Sequence, residues 1–446
     1  MKTNYTQMST SSFLRNNKFI NIFFFYKTLS HSQKIIVAFL FFLRVIFTPI
    51  AFIIHLVNYL VILYEIFLNK NWKISKFFKK TRLNISTFSI VTTGGTGGHL
   101  FPAIEFASRA VISRKITLVC DKNIKPLLEK RYKTKNNFEK QGIYSSFGVV
   151  DCFFLPIIPL KKNLQSFLCF VLSMLKIFFY FLKNCFFIRN IIGFGGYVSF
   201  PVLFFAVILR KKIFIHEQNA VFGKMNLIFL CFASKIFTFL PIKTTLKNVI
   251  NVGMPLPLAI ESRERIIIRK KTDMINILII SGSSGGIESN KSILPAVINF
   301  SKKHKNIHVM HQVSNDFVND VVEKYIKHNI SCDVRPFFDN IYDILEITNV
   351  AISRAGASSI VDLLSFGVPT IFIPLKTSAD NHQVKNANWV VSNNLGLVHK
   401  PWESNSYNLS ALINLCVSDE LALRSLNIGQ FAIKRGASMQ MLKEIF

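Results

Sequence analysis

The chain has 446 residues, 50% of them hydrophobic, and a formal net charge of +30. This length exceeds one ordinary domain and predicts two α/β domains plus an additional segment. Its 7 cysteines contain no Cys-x-x-Cys pair, which argues against a disulfide framework and against a zinc site. The excess of lysine fits an anionic membrane surface better than a nucleic acid in so apolar a chain; simple compositional drift is the alternative.

A long apolar run, Ile35–Leu68, follows a basic N-terminal lead. Pro49 divides the run, and Ile50–Leu68 comes close to the ~20 residues that a bilayer-spanning helix needs. Lysines flank the run on both sides, so both flanks favour the cytoplasmic side of a membrane. We therefore expect a re-entrant hairpin or a pair of interfacial helices. The alternative is a hydrophobic extension packed on the protein.

Beyond this run, short apolar segments alternate with helical patterns, as in βαβ units. The strands predicted for the first half are Asn84–Val91, Ile116–Cys120, Ile191–Phe194 and Lys212–Ile215. Those predicted for the second half are Ile275–Ile280, Ile307–His311, Val350–Ser353 and Thr370–Pro374. A segment rich in proline, glycine and charge, Asn251–Arg269, separates the halves. The sequence thus predicts an α/β fold of two Rossmann-like domains that face each other across a cleft.

A second apolar stretch, Phe167–Ile188, lies inside the first predicted domain. It carries Lys176 and Lys183, which favours a helix at a membrane interface. A buried crossover helix is the alternative.

The first predicted strand runs into a glycine-rich turn, Thr92–His99, which opens a helix. Glycines let the backbone approach an anion, and a helix N-terminus presents free N–H groups and the positive end of its dipole. The spacing fits neither the dinucleotide motif G-x-G-x-x-G nor a Walker A loop, so NAD binding and NTP hydrolysis are disfavoured. His99 lies at the mouth of this turn, where an imidazole could serve as a base; a structural histidine is the alternative.

Two further polar clusters follow strands of the first half. Gly193–Ser199 is a second glycine turn before a helix, and His216–Asn219 ends a buried strand. Open α/β sheets bind their ligands at such strand ends. Glu217 is accordingly a candidate to orient or deprotonate a hydroxyl, or else a member of a capping network.

The second half repeats this arrangement. Ser281–Gly286 follows one strand, and Ser353–Ser359 follows another and opens a helix that carries Asp362. Small residues and hydroxyls at a helix N-terminus suit a diphosphate. Asp380–Gln383 offers side-chain amides to sugar hydroxyls. These loops together predict a sugar-diphosphate site, and since no acidic metal-binding motif stands out, we expect no essential metal and no cofactor.

These residues resemble the MurG family, the glycosyltransferase that makes lipid II in peptidoglycan synthesis. The resemblance covers Asn84 to Phe446 and is carried by Gly94–Ala103, Gly195–Ser199, His216–Asn219 and Arg354–Ala357. It implies a GT-B fold. It also implies an inverting transfer of N-acetylglucosamine from UDP-N-acetylglucosamine to the 4-hydroxyl of N-acetylmuramic acid in lipid I, an undecaprenyl-pyrophosphate-linked acceptor.

The resemblance also implies a division of the chain and a location. Residues 84–250 would be the acceptor domain and 251–446 the UDP-sugar domain, whose last helix packs back on the first domain. Residues 1–83, the basic lead with the hydrophobic run, are not a feature of the family, and we expect them to associate with a membrane. The expected partners are UDP-N-acetylglucosamine, lipid I and the anionic cytoplasmic face of the inner membrane, with no nucleic acid.

Carried over motif by motif, the resemblance assigns roles to single residues. The base would be His99 or Glu217, a choice that the sequence leaves open. Contacts to the phosphates and sugar of donor or acceptor would come from Thr96, Gly97, Gly98 and Asn219. The residues that would hold UDP-N-acetylglucosamine are Ser283, Phe338, Ala357, Ser358, Ser359, Ile360, Val361, Asp362 and Gln383.

One departure from the family pattern keeps two alternatives open. Where the family has Gly-Asn-Pro-x-Arg, this chain has Gly253-Met254-Pro255-Leu256-Pro257, so Pro257 replaces a binding arginine. The alternatives are a GT-B transferase or epimerase for another nucleotide sugar, and a degenerate membrane-tethered scaffold.

Overall fold

The computed structural model describes the larger part of the chain. The described residues are 26, 29–49, 51–53, 56, 87–95, 97–125, 128, 142–145, 148–159, 163–262, 274–280, 287–403, 407–418 and 433–446. Three features predicted from the sequence therefore lie wholly or mostly outside them: most of Ile50–Leu68, Thr96, and the loop Ser281–Gly286 with Ser283.

The first half forms an eight-stranded sheet in the order β3-β4-β2-β1-β5-β6-β7-β8. Its strands are β1 Phe88–Thr92, β2 Lys115–Asp121, β3 Gly142–Ser145, β4 Gly148–Leu155, β5 Ile188–Gly193, β6 Lys212–Glu217, β7 Lys235–Thr238 and β8 Val249–Asn251. All neighbours pair in parallel except β3 and β4. Because a parallel sheet is covered on both faces, its central strands β1, β5 and β6 are almost wholly buried.

The second half forms a six-stranded parallel sheet in the order β11-β10-β9-β12-β13-β14. Its strands are β9 Ile275–Ile280, β10 Ile307–Gln312, β11 Ser331–Arg335, β12 Val350–Ser353, β13 Thr370–Phe372 and β14 Leu397–Val398. All eight strands predicted from the sequence are present, and the α/β fold with two parallel sheets is confirmed. The strands that the prediction missed are β3, β4, β7, β8, β11 and β14.

Helices cover both sheets. In the first half they are α1 His31–Ile46, α2 Gly97–Ala110, α3 Leu164–Asn184, α4 Ser199–Ile208 and α5 Lys224–Phe229. In the second half they are α6 Leu258–Glu261, α7 Ile287–Ser301, α8 Val318–Lys327, α9 Ile341–Ile347, α10 Ala357–Ser365, α11 His382–Ser392, α12 Leu409–Ser418 and α13 Ala437–Ile445.

The order of each sheet reverses at one point, between β1 and β5 in the first and between β9 and β12 in the second. Loops diverge at such a switch point and leave a crevice at the carboxyl ends of the strands. The glycine turns after β1 and β5 lie at the first switch point. The turn that opens α10 lies at the second.

The last helix of the chain returns to the first sheet. Helix α13 packs on α2, and its Ala437, Met441 and Ile445 are buried in the same core. The connection is tied down where Gly436 donates its N–H to the Glu261 carboxylate, at 3.1 Å from Oε2. An ion pair between Lys235 and Glu444 closes the far end of α13.

Two apolar helices pack on α4 on the outer surface of the first half. Helix α1 packs on α4 and α5 through its buried Val37 and Leu40, and α3 packs on α4 through Ile177 and Phe181. Both also carry large apolar side chains that are exposed to solvent: Ile35, Phe39, Phe42 and Val45 on α1, and Phe167, Leu168, Leu172, Leu175, Phe179 and Leu182 on α3. Among the described residues, α3 is the one helix long and apolar enough to cross a membrane.

Candidate active site

The two glycine turns of the first sheet lie directly against each other. A Cβ atom at Gly94 would lie 2.2 Å from Val198 Cγ2, and a Cβ at Gly196 would lie 2.1 Å from the Gly94 carbonyl oxygen. Gly196 also has a φ of +80°, a region that side-chain-bearing residues rarely adopt. On the other side, the Gly95 N–H donates to Asp121 Oδ2 at 3.1 Å. The two turns therefore form one closely packed surface at the first switch point, which we call the glycine floor.

His99 stands on this floor in the first turn of α2. Its ring is half-buried, and Nδ1 lies 2.8 Å from Gln218 Oε1. The amide nitrogen of Gln218 lies 3.0 Å from the Phe194 carbonyl oxygen and 3.2 Å from His216 Nδ1. The helix and the end of β6 thus bring together two residues that are far apart in the sequence.

His216 is fully buried beneath this pair. Its Nε2 lies 2.9 Å from the Gly253 carbonyl oxygen, and its ring stacks on Phe194. Burial lowers the pKa of His216 from 6.5 to about 4, and the nearby His99 adds to the shift. The imidazole of His216 is therefore neutral at physiological pH.

The carboxylate of Glu217 is buried among donors. Its Oε1 accepts from the N–H and the side-chain amide of Asn219, both at 3.0 Å. Its Oε2 accepts from the Gly223 N–H at 2.9 Å and from Asn226 Nδ2 at 2.7 Å. With four donors and 0% exposure, this carboxylate fixes the loop that carries Asn219.

Asn386, which the sequence analysis did not single out, joins the two halves. Its Nδ2 donates to Asn219 Oδ1 and to the Ala355 carbonyl oxygen, each at 3.1 Å. Its Oδ1 accepts from the Ala220 N–H at 2.8 Å. This fully buried amide therefore connects the end of β6 to the turn that opens α10, and no local sequence pattern distinguishes it from other helical asparagines.

A second contact joins the same two regions. Asp380 accepts from the Lys224 N–H at 3.3 Å and pairs with its ammonium group at 3.4 Å. Asp380 and Asn381, directly before α11, both have a φ above 50°. The two halves thus meet at Asn386 and at Asp380.

Helix α10 of the second half contacts α2, the helix that carries His99. Ala357, Ile360 and Val361 point into the core, so any ligand contact from them would come through their backbone. Ser359 and Asp362 are half-buried and reach the surface. The ring of Phe338 is likewise buried, and the Arg335 guanidinium lies 5.8 Å from its centroid. Gln383 Oε1 accepts from the Leu375 N–H at 2.9 Å.

Three buried hydroxyls in the turns have no hydrogen-bond partner within the described part of the chain. They are Thr92 Oγ1 and Thr93 Oγ1 at the end of β1, and Ser358 Oγ at the start of α10. A buried hydroxyl without a partner is costly, so each is suited to a ligand oxygen. Among the described residues, no group of three or more His, Cys, Asp or Glu side chains could hold a metal ion.

Two family models match successive parts of the chain. The family described as the glycosyltransferase family 28 N-terminal domain matches residues 89–238, and the family 28 C-terminal domain matches residues 276–438. Among solved structures, the crystal structure of Acinetobacter baumannii MurG has a TM-score of 0.61 at 20% identity, covering 80% of this chain and 99% of that one. The glycotransferase of kitacinnamycin has a TM-score of 0.59 at 12% identity, covering 81% of this chain and 99% of that one. Both share the fold.

Similar sequences are UDP-N-acetylglucosamine–N-acetylmuramyl-(pentapeptide) pyrophosphoryl-undecaprenol N-acetylglucosamine transferases. The protein of Rickettsia canadensis is 30% identical, with 72% of this chain and 87% of that protein covered. That of Rickettsia typhi is 32% identical with the same coverage. That of Campylobacter fetus is 29% identical, with 78% of this chain and 97% of that protein covered.

The contact between the turns predicts that alanine destabilises the protein more at Gly196 than at Gly436, although the two glycines have similar φ values. Gly436 has a φ of +78° and nothing within 4 Å of the position that a Cβ would take, so Gly436→Ala should cost only the ~1–2 kcal/mol of left-handed strain. Gly196→Ala adds a collision with the Gly94 oxygen and should lower the melting temperature at least twice as much. Equal shifts in thermal denaturation of the two variants would contradict the interlocked floor.

The bonds of Asn386 predict a second difference in stability. Asn386→Ala leaves buried partners on both halves unsatisfied and should cost about 1–3 kcal/mol in urea unfolding. The matched control is Asn393→Ala at the end of the same helix, where the amide is exposed and bonds only to Trp389 and Ser392. It should change stability by less than about 0.5 kcal/mol. An Asn386→Ala variant as stable to urea as the wild type would show that this amide does not hold the halves together.

Proposed function

The chain belongs to the MurG family within glycosyltransferase family 28, and from this premise we propose how its residues carry out the transfer. The enzyme is a hexosyltransferase that moves N-acetylglucosamine from UDP-N-acetylglucosamine to the 4-hydroxyl of N-acetylmuramic acid in lipid I, which gives lipid II. The observation that carries the assignment of roles is the placement of His99 beside the glycine turns, in a helix that contacts α10 of the other half.

The second half, residues 251–446, is proposed to bind the donor. The N–H groups of Ala357, Ser358 and Ser359 at the start of α10 would donate to the diphosphate oxygens, and the Ser358 hydroxyl, which has no partner among the described residues, would add a further bond. Asp362, one turn further, would accept from the ribose hydroxyls, and Gln383 would contact the sugar. The positive end of α10 would stabilise the negative charge that develops on UDP as it leaves. Ser283, Phe338, Ile360 and Val361 complete the proposed donor site.

The first half, residues 84–250, is proposed to bind the acceptor. Thr96, Gly97 and Gly98 would hold its pyrophosphate at the N-terminus of α2. Asn219 would contact the sugar from the loop that Glu217 fixes. The bond from Asn386 to Asn219 links this loop to the donor side.

We assign the base to His99 rather than to Glu217. All donors around Glu217 belong to the protein, and a carboxylate that takes a proton would have to release at least one of them. His99 needs one ring nitrogen for Gln218 and has a second for the acceptor. The acceptor O–H proton passes to that nitrogen as the oxygen attacks the anomeric carbon. The bond from this carbon to the phosphate oxygen breaks, and its electron pair leaves with UDP.

This assignment predicts that substitution of His99 lowers activity alone, whereas substitution of Glu217 lowers both activity and stability. His99→Ala should lower the transfer of radiolabelled N-acetylglucosamine from UDP-N-acetylglucosamine to a lipid I analogue by ~100-fold or more, with an unchanged melting temperature. Glu217→Gln breaks buried hydrogen bonds and should lower the melting temperature as well as activity.

Two results would contradict this account. An active His99→Ala variant would exclude His99 as the base. A wild-type protein that binds UDP but transfers nothing to lipid I would contradict the function, and it would favour the alternatives of another nucleotide-sugar enzyme or a scaffold.

We place the enzyme at the cytoplasmic face of the inner membrane, held by the apolar helices of the first half. Helix α4, which begins at Ser199 directly after the second glycine turn, lies between α1 and α3. Their exposed apolar side chains therefore lie close to the proposed pyrophosphate site. Lys176 and Lys183 on α3 are exposed and would meet anionic headgroups. A polyprenyl chain in the membrane could thus keep its pyrophosphate at the floor.

Substitution on α3 tests this placement. Phe179→Glu removes a side chain that is 63% exposed and should weaken co-sedimentation with phosphatidylglycerol-containing vesicles by about tenfold, because burying a Phe contributes roughly 1.5 kcal/mol or more. The control Ile326→Glu changes a residue that is 62% exposed on α8, in the other half, and should bind as the wild type does. Equal binding of all three proteins would show that α3 does not contact the membrane.

A further inference from the structure

We propose that Gln218 is a positioning residue for the transfer: its amide holds His99 in the tautomer with a proton on Nδ1, so that Nε2 keeps the lone pair that receives the acceptor proton. The proposal rests on the assignment of His99 as the base. It adds to that assignment which ring nitrogen of His99 receives the proton, and which residue fixes the tautomer.

The orientation of the Gln218 amide follows from its surroundings. One end of the amide lies 3.0 Å from the Phe194 carbonyl oxygen and 3.3 Å from the His216 carbonyl oxygen. Carbonyl oxygens only accept hydrogen bonds, so the NH₂ group must occupy this end. An amide turned the other way would place three oxygens against one another. The oxygen Oε1 is therefore the atom that faces His99.

This orientation decides the tautomer of His99. Nδ1 lies 2.8 Å from Gln218 Oε1, an atom that can only accept. Nδ1 must therefore carry a proton. In a neutral imidazole the other nitrogen then has the free lone pair, which is the state that a general base requires.

His216 supports the arrangement from below. Its Nδ1 lies 3.2 Å from the Gln218 NH₂ group and must accept, while its Nε2 donates to the Gly253 carbonyl oxygen. One accepting and one donating nitrogen require a neutral ring, in agreement with the pKa of about 4 that burial gives to His216. A charged His216 would donate from Nδ1 and would push the NH₂ group of Gln218 away.

Neighbouring residues restrict the positions of the His99 and His216 rings in this chain of hydrogen bonds. A Cβ atom at Gly195 would lie 3.2 Å from His99 Nδ1 and 3.4 Å from Asn226 Nδ2, so a glycine is needed to admit the imidazole. Phe194 stacks on His216 with ring centroids 5.1 Å apart. The bonds therefore run in one direction, from His99 through Gln218 and His216 to Gly253, the residue where the first half passes into the second.

Gln218→Met in the full-length protein tests the proposal, because methionine fills a similar volume but offers no strong acceptor. The kcat should fall by about 10- to 100-fold, while the KM for UDP-N-acetylglucosamine should change by less than about twofold, since a lost proton acceptor affects the chemical step. In a His99→Ala background the same substitution should lower kcat by less than about twofold, because the two residues act as one unit. Two independent, additive effects would overturn the proposal.

The tautomer is read directly from ¹⁵N chemical shifts of the full chain labelled at its histidine rings, with the His99 signals assigned by their loss in His99→Ala. In the wild type, Nδ1 should carry the proton and Nε2 should be bare. In Gln218→Met, the His99 signals should move toward a mixture of tautomers. A wild-type His99 protonated on Nε2, or an unchanged tautomer in Gln218→Met, would overturn the proposal.

The control is Asn414→Leu, which removes another amide partner of a histidine. Asn414 Oδ1 lies 2.9 Å from His304 Nε2, and this pair lies between α7 and α12 in the second half. Activity and the His99 signals should both stay within error of the wild type. Because the NMR result does not depend on turnover, it decides the role of Gln218 even if transfer to lipid I were not observed.

Discussion

The site depends on one steric constraint, the contact between the glycine turns after β1 and β5. Gly196 can lie on the Gly94 carbonyl only because it has no Cβ atom, and Gly94 lies against Val198 for the same reason. The two turns precede α2 and α4 directly. Helix α2 carries His99 and the proposed pyrophosphate site, while α4 supports the two apolar helices of the outer surface. A short backbone contact thus relates the chemistry to the proposed membrane face.

Each polar side chain around the glycine turns has a distinct structural or chemical role. Glu217 is saturated by donors of its own domain and holds the loop of Asn219, whereas Asn386 bonds across the cleft. His216 stays neutral through burial and serves as an acceptor for Gln218. His99 remains the one member of this network with a ring nitrogen directed away from it. Buried networks of this kind specify a single geometry because each unsatisfied member is costly.

Sequence patterns predicted the central strands and the turns, but not every element. Strands β1, β9 and β12 are runs of Ile and Val in the middle of parallel sheets, and burial on both faces makes such runs easy to recognise. Strand β11, with the sequence SCDVR, lies at a sheet edge and has a polar composition that gives no such signal.

The site was predictable to the extent that it consists of turns at strand ends. The choice between His99 and Glu217 needed the four donors around the carboxylate, which no sequence spacing reveals. The bond from Asn386 to Asn219 spans 167 positions, and the direction of the Gln218 amide is set by backbone carbonyls. Such contacts arise from tertiary packing and are invisible to local patterns.

The proposed reaction is a single displacement at the anomeric carbon, with His99 on one side and the leaving diphosphate at α10 on the other. The configuration of the product tests this most directly. The ¹H coupling constant of the new anomeric proton, measured in the disaccharide released from the wild-type product, should show a β-linkage formed from the α-linked donor. An α-linkage would mean retention of configuration, which a single displacement from the opposite side cannot give, and would contradict the arrangement of the site.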